Sequence, residues 1–334
     1  MIAHTIVWDS LGLSRNLTGI ERLVVTYCQA MVERDAEVRQ VLLAHDDSDW
    51  LDAIPKSVVL SLVRRRPLSL LTATSMAPGI MSGAAHYHSW GHRVSSRHHY
   101  ARSSFSVQDW GPYFDRTMSR KSRYIWRTAM SASIRNVDFV HITNRSLLTD
   151  THSGKLSTCK VVVSGLPRRN YSPEFTREVG PGQFILFVGS ADPRKRVDDL
   201  VAAATHPKWP LPLVLAGNGT ERYRGRPNTR ALGRVTDQEL EDLYANANAL
   251  ALISTYEGFG LPLLEALRRG IPAMASAQVA SIFPGNRDRI VVALSTDPES
   301  LSVAARAVSV LGRTTPADGE DDQLPLIDAI LEPL

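Results

Sequence analysis

The 334-residue sequence contains only two cysteines, Cys28 and Cys159. Two thiols cannot build a disulfide framework, and nothing pairs them in metal-ligand spacing. No apolar run approaches the roughly 20 residues that a membrane-spanning helix needs. The start, Met1-Ile2-Ala3-His4-Thr5, lacks a basic segment leading into a long apolar one, so no secretory leader is expected. These absences imply a soluble, cytoplasmic protein.

At about 150 residues per domain, the length suggests two domains. Hydrophobic residues make up 43% and charged residues 22%, which excludes wholesale disorder. The net charge of +4 is unevenly spread: residues 1–170 hold 22 Lys/Arg against 13 Asp/Glu, or +9, and residues 171–334 hold 16 against 21, or −5. The basic half calls for an anionic partner.

The C-terminal half alternates short apolar runs with helical patterns. Gln183–Gly189, Leu211–Ala216, Ala249–Ser254, Ile271–Ser276 and Ile290–Leu294 read as strands. Helices are expected over Val197–Thr205, after the capping box Thr236-Asp237-Gln238-Glu239, over Leu261–Arg269 and over Ser300–Leu311. In the N-terminal half, strands are expected at His4–Trp8, Val38–Ala44, Ser104–Gln108, Val137–Thr143 and Lys160–Val163. A helix runs from a second capping box, Thr18–Glu21, to Met31. Such alternation implies parallel sheets covered by helices. The fold class is therefore α/β: two doubly wound, Rossmann-like domains facing across a cleft, over 1–170 and 183–334, joined by a Pro/Gly-rich linker at 171–182.

The densest chemistry lies in Ser254-Thr-Tyr-Glu257-Gly258-Phe259-Gly260-Leu261-Pro262-Leu-Leu-Glu265. Glu257 closes a strand, Gly258 and Gly260 leave backbone N–H groups unshielded, and Pro262 suits the first helical position. The helix start is an anion site, and Glu265 lies about one turn in. A carboxylate accepts two hydrogen bonds and so suits a vicinal diol. One anion between two diols describes a nucleotide sugar.

Glu257 and Glu265 also have the E-x₇-E spacing of retaining GT-B glycosyltransferases, and EGFGLPLLEAL resembles members of glycosyltransferase family 4 (glycosyl transferases group 1). Ile185–Lys195 resembles that family's diphosphate-binding strand and loop, and Leu213–Gly219 its next strand. Leu232-Gly-Arg-Val-Thr236 resembles its base-binding turn, Val161–Pro167 its pre-linker segment and Thr18-Gly-Ile-Glu-Arg22 its N-terminal glycine loop. The resemblance covers about residues 137–310 well and 1–136 more weakly.

The resemblance implies that Glu257 holds hydroxyls of the transferred sugar and Glu265 the ribose diol. It also implies that Gly258, Phe259, Gly260 and Leu261 offer amides, and that Lys195 with Arg194 neutralises the leaving diphosphate. Gly19 and Ser190 would approach the donor, and Arg234 and Val235 would border the base. It implies a metal-independent hexosyltransferase of mannose or glucose type, with a UDP or GDP sugar as co-substrate and no other cofactor. The acceptor would be a glycan or lipid-linked, in polysaccharide biosynthesis. Alternatives are a sugar-nucleotide epimerase on the same fold and a catalytically degenerate nucleotide-sugar-binding partner protein.

Departures favour that last alternative. Ser190 stands where relatives carry Arg after the strand-ending glycine, and Gln108-Asp109 stands for a His-Asp pair, leaving Asp109 as a secondary catalytic candidate. No long C-terminal helices that return to the first domain are visible before Leu334. Asp47-Ser48-Asp49 reads as an acidic loop rather than a metal site. His86, His88, His92, His98 and His99 read as a polar loop near the acceptor, with metal binding disfavoured for want of supporting carboxylates. Nine Arg/Lys interleave with Tyr113, Phe114, Tyr124 and Trp126 over 93–135. They suggest an amphipathic helix resting on an anionic membrane surface, peripheral on the inner face of the plasma membrane. No nucleic-acid reader motif is present, so no nucleic acid is expected.

Overall fold

The computed structural model describes residues 5–11, 13, 15, 19–64, 84–91, 100–114, 119–148, 153–157, 159–164, 184–314 and 325–332. The chain forms two compact units, Met1–Arg169 with Asp321–Leu334, and Asn170–Glu320. The expected linker at 171–182 lies outside the described residues, as do His92, His98 and His99.

The first unit is built on seven parallel strands: β1 (Thr5–Asp9), β2 (Arg39–His45), β3 (Val59–Val63), β4 (Ala84–Ser89), β5 (Tyr100–Val107), β6 (Phe139–Ile142) and β7 (Lys160–Val163). Their order is β3-β2-β1-β4-β5-β6-β7, the doubly wound pattern. β3 and β4 escape the sequence reading. β3 is an exposed edge strand without a clean apolar run, and β4 alternates His86, Tyr87 and His88, which reads as a polar loop.

Helix α1 (Gly19–Arg34) starts within one residue of the expected cap and buries Leu23, Val24, Tyr27, Cys28 and Met31 against Trp8 and Trp90. α2 (Gly111–Phe114) is a single turn, and α3 (Arg120–Asn136) is capped by the Ser119 hydroxyl.

The second unit has six parallel strands: β8 (Phe184–Val188), β9 (Leu213–Ala216), β10 (Thr229–Gly233), β11 (Ala247–Leu252), β12 (Ala273–Ser276) and β13 (Ile290–Ala293). Their order is β10-β9-β8-β11-β12-β13. The helices are α4 (Val197–Ala204), α5 (Asp237–Asn246), α6 (Leu261–Arg268), α7 (Ala277–Ala280) and α8 (Pro298–Ser309). At the start of α5 the Thr236 and Glu239 side chains cap each other's backbone, as their spacing predicts. Continuous apolar strands such as Phe184-Ile-Leu-Phe-Val188 follow from burial on both faces.

The chain end departs from expectation. The 183–334 boundary assigns the whole tail to the second domain, but Asp321–Leu334 belongs to the first unit. Helix α9 (Pro325–Leu331) buries Leu326, Ile327, Ala329 and Ile330 in the cluster of Trp8 and Tyr27. Each fully buried Leu or Ile contributes up to about 1.5–3 kcal/mol. The Asp328–Arg34 pair at 3.0 Å is half-exposed and adds little. Seven residues without a long periodic pattern are too short to announce themselves in sequence.

Candidate functional site at a strand-order reversal

In a doubly wound sheet, ligands bind beyond the carboxyl ends of the strands where the order reverses. In the second unit that point lies between β8 and β11. Pairing of Leu186 with Leu250 brings Val188 and Leu252, the last residues of the two strands, level. The loops that follow, Gly189–Arg196 and Ile253–Gly260, carry most of the candidate residues, and Thr255 N–H donates to the Arg194 carbonyl at 2.8 Å. Gly217, which directly follows β9, packs so tightly here that an added Cβ would lie 2.1 Å from the Gly189 carbonyl oxygen.

Three charges meet at this point. Lys195 Nζ lies 2.7 Å from Glu257 Oε1, and Arg194 Nη1 lies 3.2 Å from Oε2. The Ser254 hydroxyl donates to Oε1 at 2.7 Å. Arg194 Nη1 also donates to the Tyr256 carbonyl, and its guanidinium stands over the Tyr256 ring. The Lys195 and Glu257 side chains are only 8% and 7% exposed, so the pair is largely desolvated.

Burial pushes the Lys195 ammonium below the ordinary lysine value, against the pull of Glu257. Burial alone would raise the Glu257 carboxyl, but the Lys195 and Arg194 charges override it and hold it low. Asp192 accepts from Arg194 N–H and caps the 3₁₀ turn Pro193–Lys195 that aims both cations.

Glu265 sits on the first turns of α6, half-buried. The Tyr244 hydroxyl of α5 donates to Glu265 Oε2 at 2.8 Å. Gly260 takes the left-handed conformation, φ 70°, before α6, and a Cβ there would lie 3.3 Å from Phe283. Phe259 meets the same ring edge-on. The expected row of free amides is shorter than the sequence suggests. Pro262 has no N–H, and the amides of Leu263 and Leu264 donate to the Gly260 carbonyl. Phe259, Gly260 and Leu261 remain as backbone donors for which the described residues supply no acceptor.

Ser190 follows Gly189 at the end of β8, half-buried. Arg234 is exposed and Val235 half-buried in the turn between β10 and α5. Gly19 and Asp109 lie in the first unit. Gly19 opens α1, and Asp109 accepts from Gly111 N–H at 2.7 Å, holding the start of α2.

The histidines correct the loop reading. His86 and His88 stand on β4, at most 1% exposed, in a chain of hydrogen bonds from His86 through Ser104, His88 and Ser106 to His141. An imidazole so enclosed has no path to an acceptor. Among the described residues no His, Cys, Asp and Glu side chains gather as a metal-ligand set. Sequence reasoning missed Ser254 and Tyr244. Ser254 was legible from its place at a strand end three residues before Glu257, whereas Tyr244 passes for an ordinary apolar helix residue.

Two Rossmann-like units, with an acid and two cations at the strand-order reversal of the second, define a GT-B type fold. Residues 172–301 match the family model Glycosyl transferases group 1, so the chain carries a domain of that family. O-antigen chain mannosyltransferase B of Escherichia coli is 33% identical over 138 residues, 36% of this chain and 35% of that protein. The alignment thus spans about a third of the length of that curated relative.

Two solved structures share the fold over nearly the whole chain. Sucrose-phosphate synthase from Thermosynechococcus elongatus has a TM-score of 0.69 at 18% identity, covering 93% of this chain and 92% of that one. Anabaena Alr3699/HepE in complex with UDP and glucose has a TM-score of 0.66 at 14% identity, covering 92% and 94%.

Proposed function

We propose that the protein is a retaining, family-4 type glycosyltransferase that moves a hexose from a UDP or GDP sugar to a glycan or lipid-linked acceptor. The observation that carries this reading is the Arg194–Lys195–Glu257 cluster at the β8/β11 reversal, eight residues before Glu265. A mannosyltransferase relative and a structural neighbour holding UDP and glucose support it.

When the bond between the anomeric carbon and the phosphate oxygen breaks, its electron pair stays on the phosphate. Arg194 and Lys195 are placed to meet that charge, and the amides of Phe259, Gly260 and Leu261 add dipoles. Glu257, relieved of part of its ion pairing by the arriving diphosphate, accepts from sugar hydroxyls. The acceptor hydroxyl forms the new bond on the face the phosphate leaves, and its proton passes to the departing phosphate oxygen. The two cations allow this without a metal ion. In this reading Ser190, Gly19, Arg234 and Val235 border the donor, and Asp109 is a further acid in the first unit.

Acceptor recognition at the inner face of the plasma membrane fits α3. Arg120, Lys121, Tyr124 and Ile125 are exposed on it, and no helix among the described residues is long and apolar enough to cross a membrane. The test is transfer from UDP- and GDP-hexoses to glycan and lipid acceptors, with the anomeric configuration of the product read by NMR. Inversion, or no turnover with any donor, sinks the proposal.

A further inference from the structure

We propose that Tyr244 is a positioning residue: its buried hydroxyl locks the Glu265 carboxylate in the orientation that receives the ribose diol of the nucleotide. This rests on the proposed ribose-binding role of Glu265. A glutamate on an exposed helix turn samples several rotamers, and fixing it on binding costs affinity. Here that ordering is already done. The Tyr244 hydroxyl donates to Oε2 at 2.8 Å, while no described residue bonds Oε1, which is left to accept from a ligand.

The phenol is itself held from several sides. Tyr244 is 0% exposed, and the Arg269 guanidinium lies 4.5 Å from its ring centroid. The same arginine donates to the Glu265 carbonyl at 2.8 Å and clasps both oxygens of Glu241 on α5. Arg313 donates to the Tyr244, Ala245 and Ala247 carbonyls at the end of α5. α5 follows directly on the turn of Arg234 and Val235, so one braced helix links the residues placed at the base to the residue placed at the ribose.

The test is discrimination between a nucleotide and its 2′,3′-dideoxy counterpart, measured by calorimetric titration of UDP and GDP into the intact protein. Tyr244→Phe removes one oxygen from a buried ring and should narrow the ratio of affinities by about three- to tenfold. Glu265→Ala should bring the ratio close to one, and adding Tyr244→Phe to it should change nothing further. A merely structural tyrosine would weaken both ligands alike and leave the ratio intact, whatever happened to the melting temperature. An unchanged ratio in Tyr244→Phe beside a collapsed ratio in Glu265→Ala overturns the positioning role alone. An unchanged ratio in Glu265→Ala, or no binding of either nucleotide, overturns the ribose-binding reading and the positioning role with it.

Discussion

The two units share a strand order but spend their polar residues differently. In the second, the central strands β8 and β9 are apolar throughout, with Ile185, Leu186, Phe187, Leu213 and Leu215 fully buried beside Leu250 of β11, and the charged groups of the site wait in the loops beyond. The first places polar groups inside the sheet itself: His86, His88, His141, Ser104 and Ser106 are each at most 1% exposed, and Trp8 bonds Gln40. A sheet of the second kind concentrates its chemistry at strand ends; one of the first kind builds a hydrogen-bonded polar ladder into its core, with His86 Nδ1 left without a partner among the described residues. The ladder specifies strand neighbours, since each imidazole needs its serine opposite.

The largest effect should come from the charged cluster of the second unit. Glu257→Ala leaves Lys195 and Arg194 facing each other without their counter-ion. Activity with the preferred donor should fall by about 10²–10³ or more, as when one transition-state partner is removed. Stability should drop by about 3–5 kcal/mol, because an uncompensated buried charge remains. Lys195→Met in the same background should recover part of the stability and none of the activity, as read by urea unfolding beside initial rates. Equal loss of stability in the single and double variants would contradict the picture of a desolvated pair.

What could be read in advance follows the same divide. Glu257, Glu265, Gly260 and the capped start of α5 are legible because β8 and β9 are continuous apolar runs and the loops of the second unit carry the glycines and acids. β4 is not, because His-Tyr-His alternation is polar on paper and becomes buried only when Ser104 and Ser106 of β5 stand beside it. β10, Thr229–Gly233, also goes unannounced, because Thr229-Arg230 opens it with two polar residues and only the turn that follows, Leu232–Thr236, stands out in the sequence. α9 and the Tyr244–Glu265 bond depend on contacts between segments distant in sequence. Neither periodicity nor spacing reports such contacts.

The histidine ladder should make acid selective for the first unit. Burial pushes His86 down to about 3, with Arg102 adding to it, and His141 likewise to about 3; His88 is driven well below its ordinary value by burial and by its two neighbouring imidazoles. The unfolded chain takes up these protons near pH 6.5 and the folded one does not. Stability is therefore full above pH 6.5 and falls as the pH drops from there toward 3. The slope is about 1.4 kcal/mol per pH unit for each imidazole involved. The carboxylate of Glu257, held low, adds its own loss only below about 4.5. Unfolding followed by hydrogen exchange at pH 5.5 should thus open β4, β5 and β6 before β8 and β11. Simultaneous loss of protection in both units would remove the distinction.

A smaller effect is steric and belongs to the second unit. Gly217→Ala places a Cβ against the Gly189 carbonyl, at a φ of 134° that side chains rarely adopt. The cost should be about 1–3 kcal/mol, measured as a lowered melting temperature. Gly225→Ala, where an added Cβ meets nothing within 4 Å, separates the two contributions. Its φ of 80° retains the backbone strain without the clash, so it should cost less.

The smallest effect on the fold, and the sharpest on the first unit's surface, concerns α3. Its buried face is Met130, Ser133 and Ile134, while Tyr124 is 70% exposed and Arg120 and Lys121 face solvent. Arg127 differs from its basic neighbours: it lies 5.3 Å from the Tyr113 ring centroid and donates to the Tyr113 carbonyl. If α3 meets an anionic lipid surface, Arg120→Glu and Lys121→Glu should each weaken vesicle binding by fivefold or more, since a basic residue near such a surface is worth about 1 kcal/mol. Arg127→Gln should change vesicle binding less and the melting temperature more, because its charge is already engaged within the protein. Sedimentation with vesicles containing phosphatidylglycerol, at low and high salt, reads the first pair. Equal loss from all three substitutions would mean that general basicity draws the protein to lipid, and that the exposed face of α3 has no special part in it.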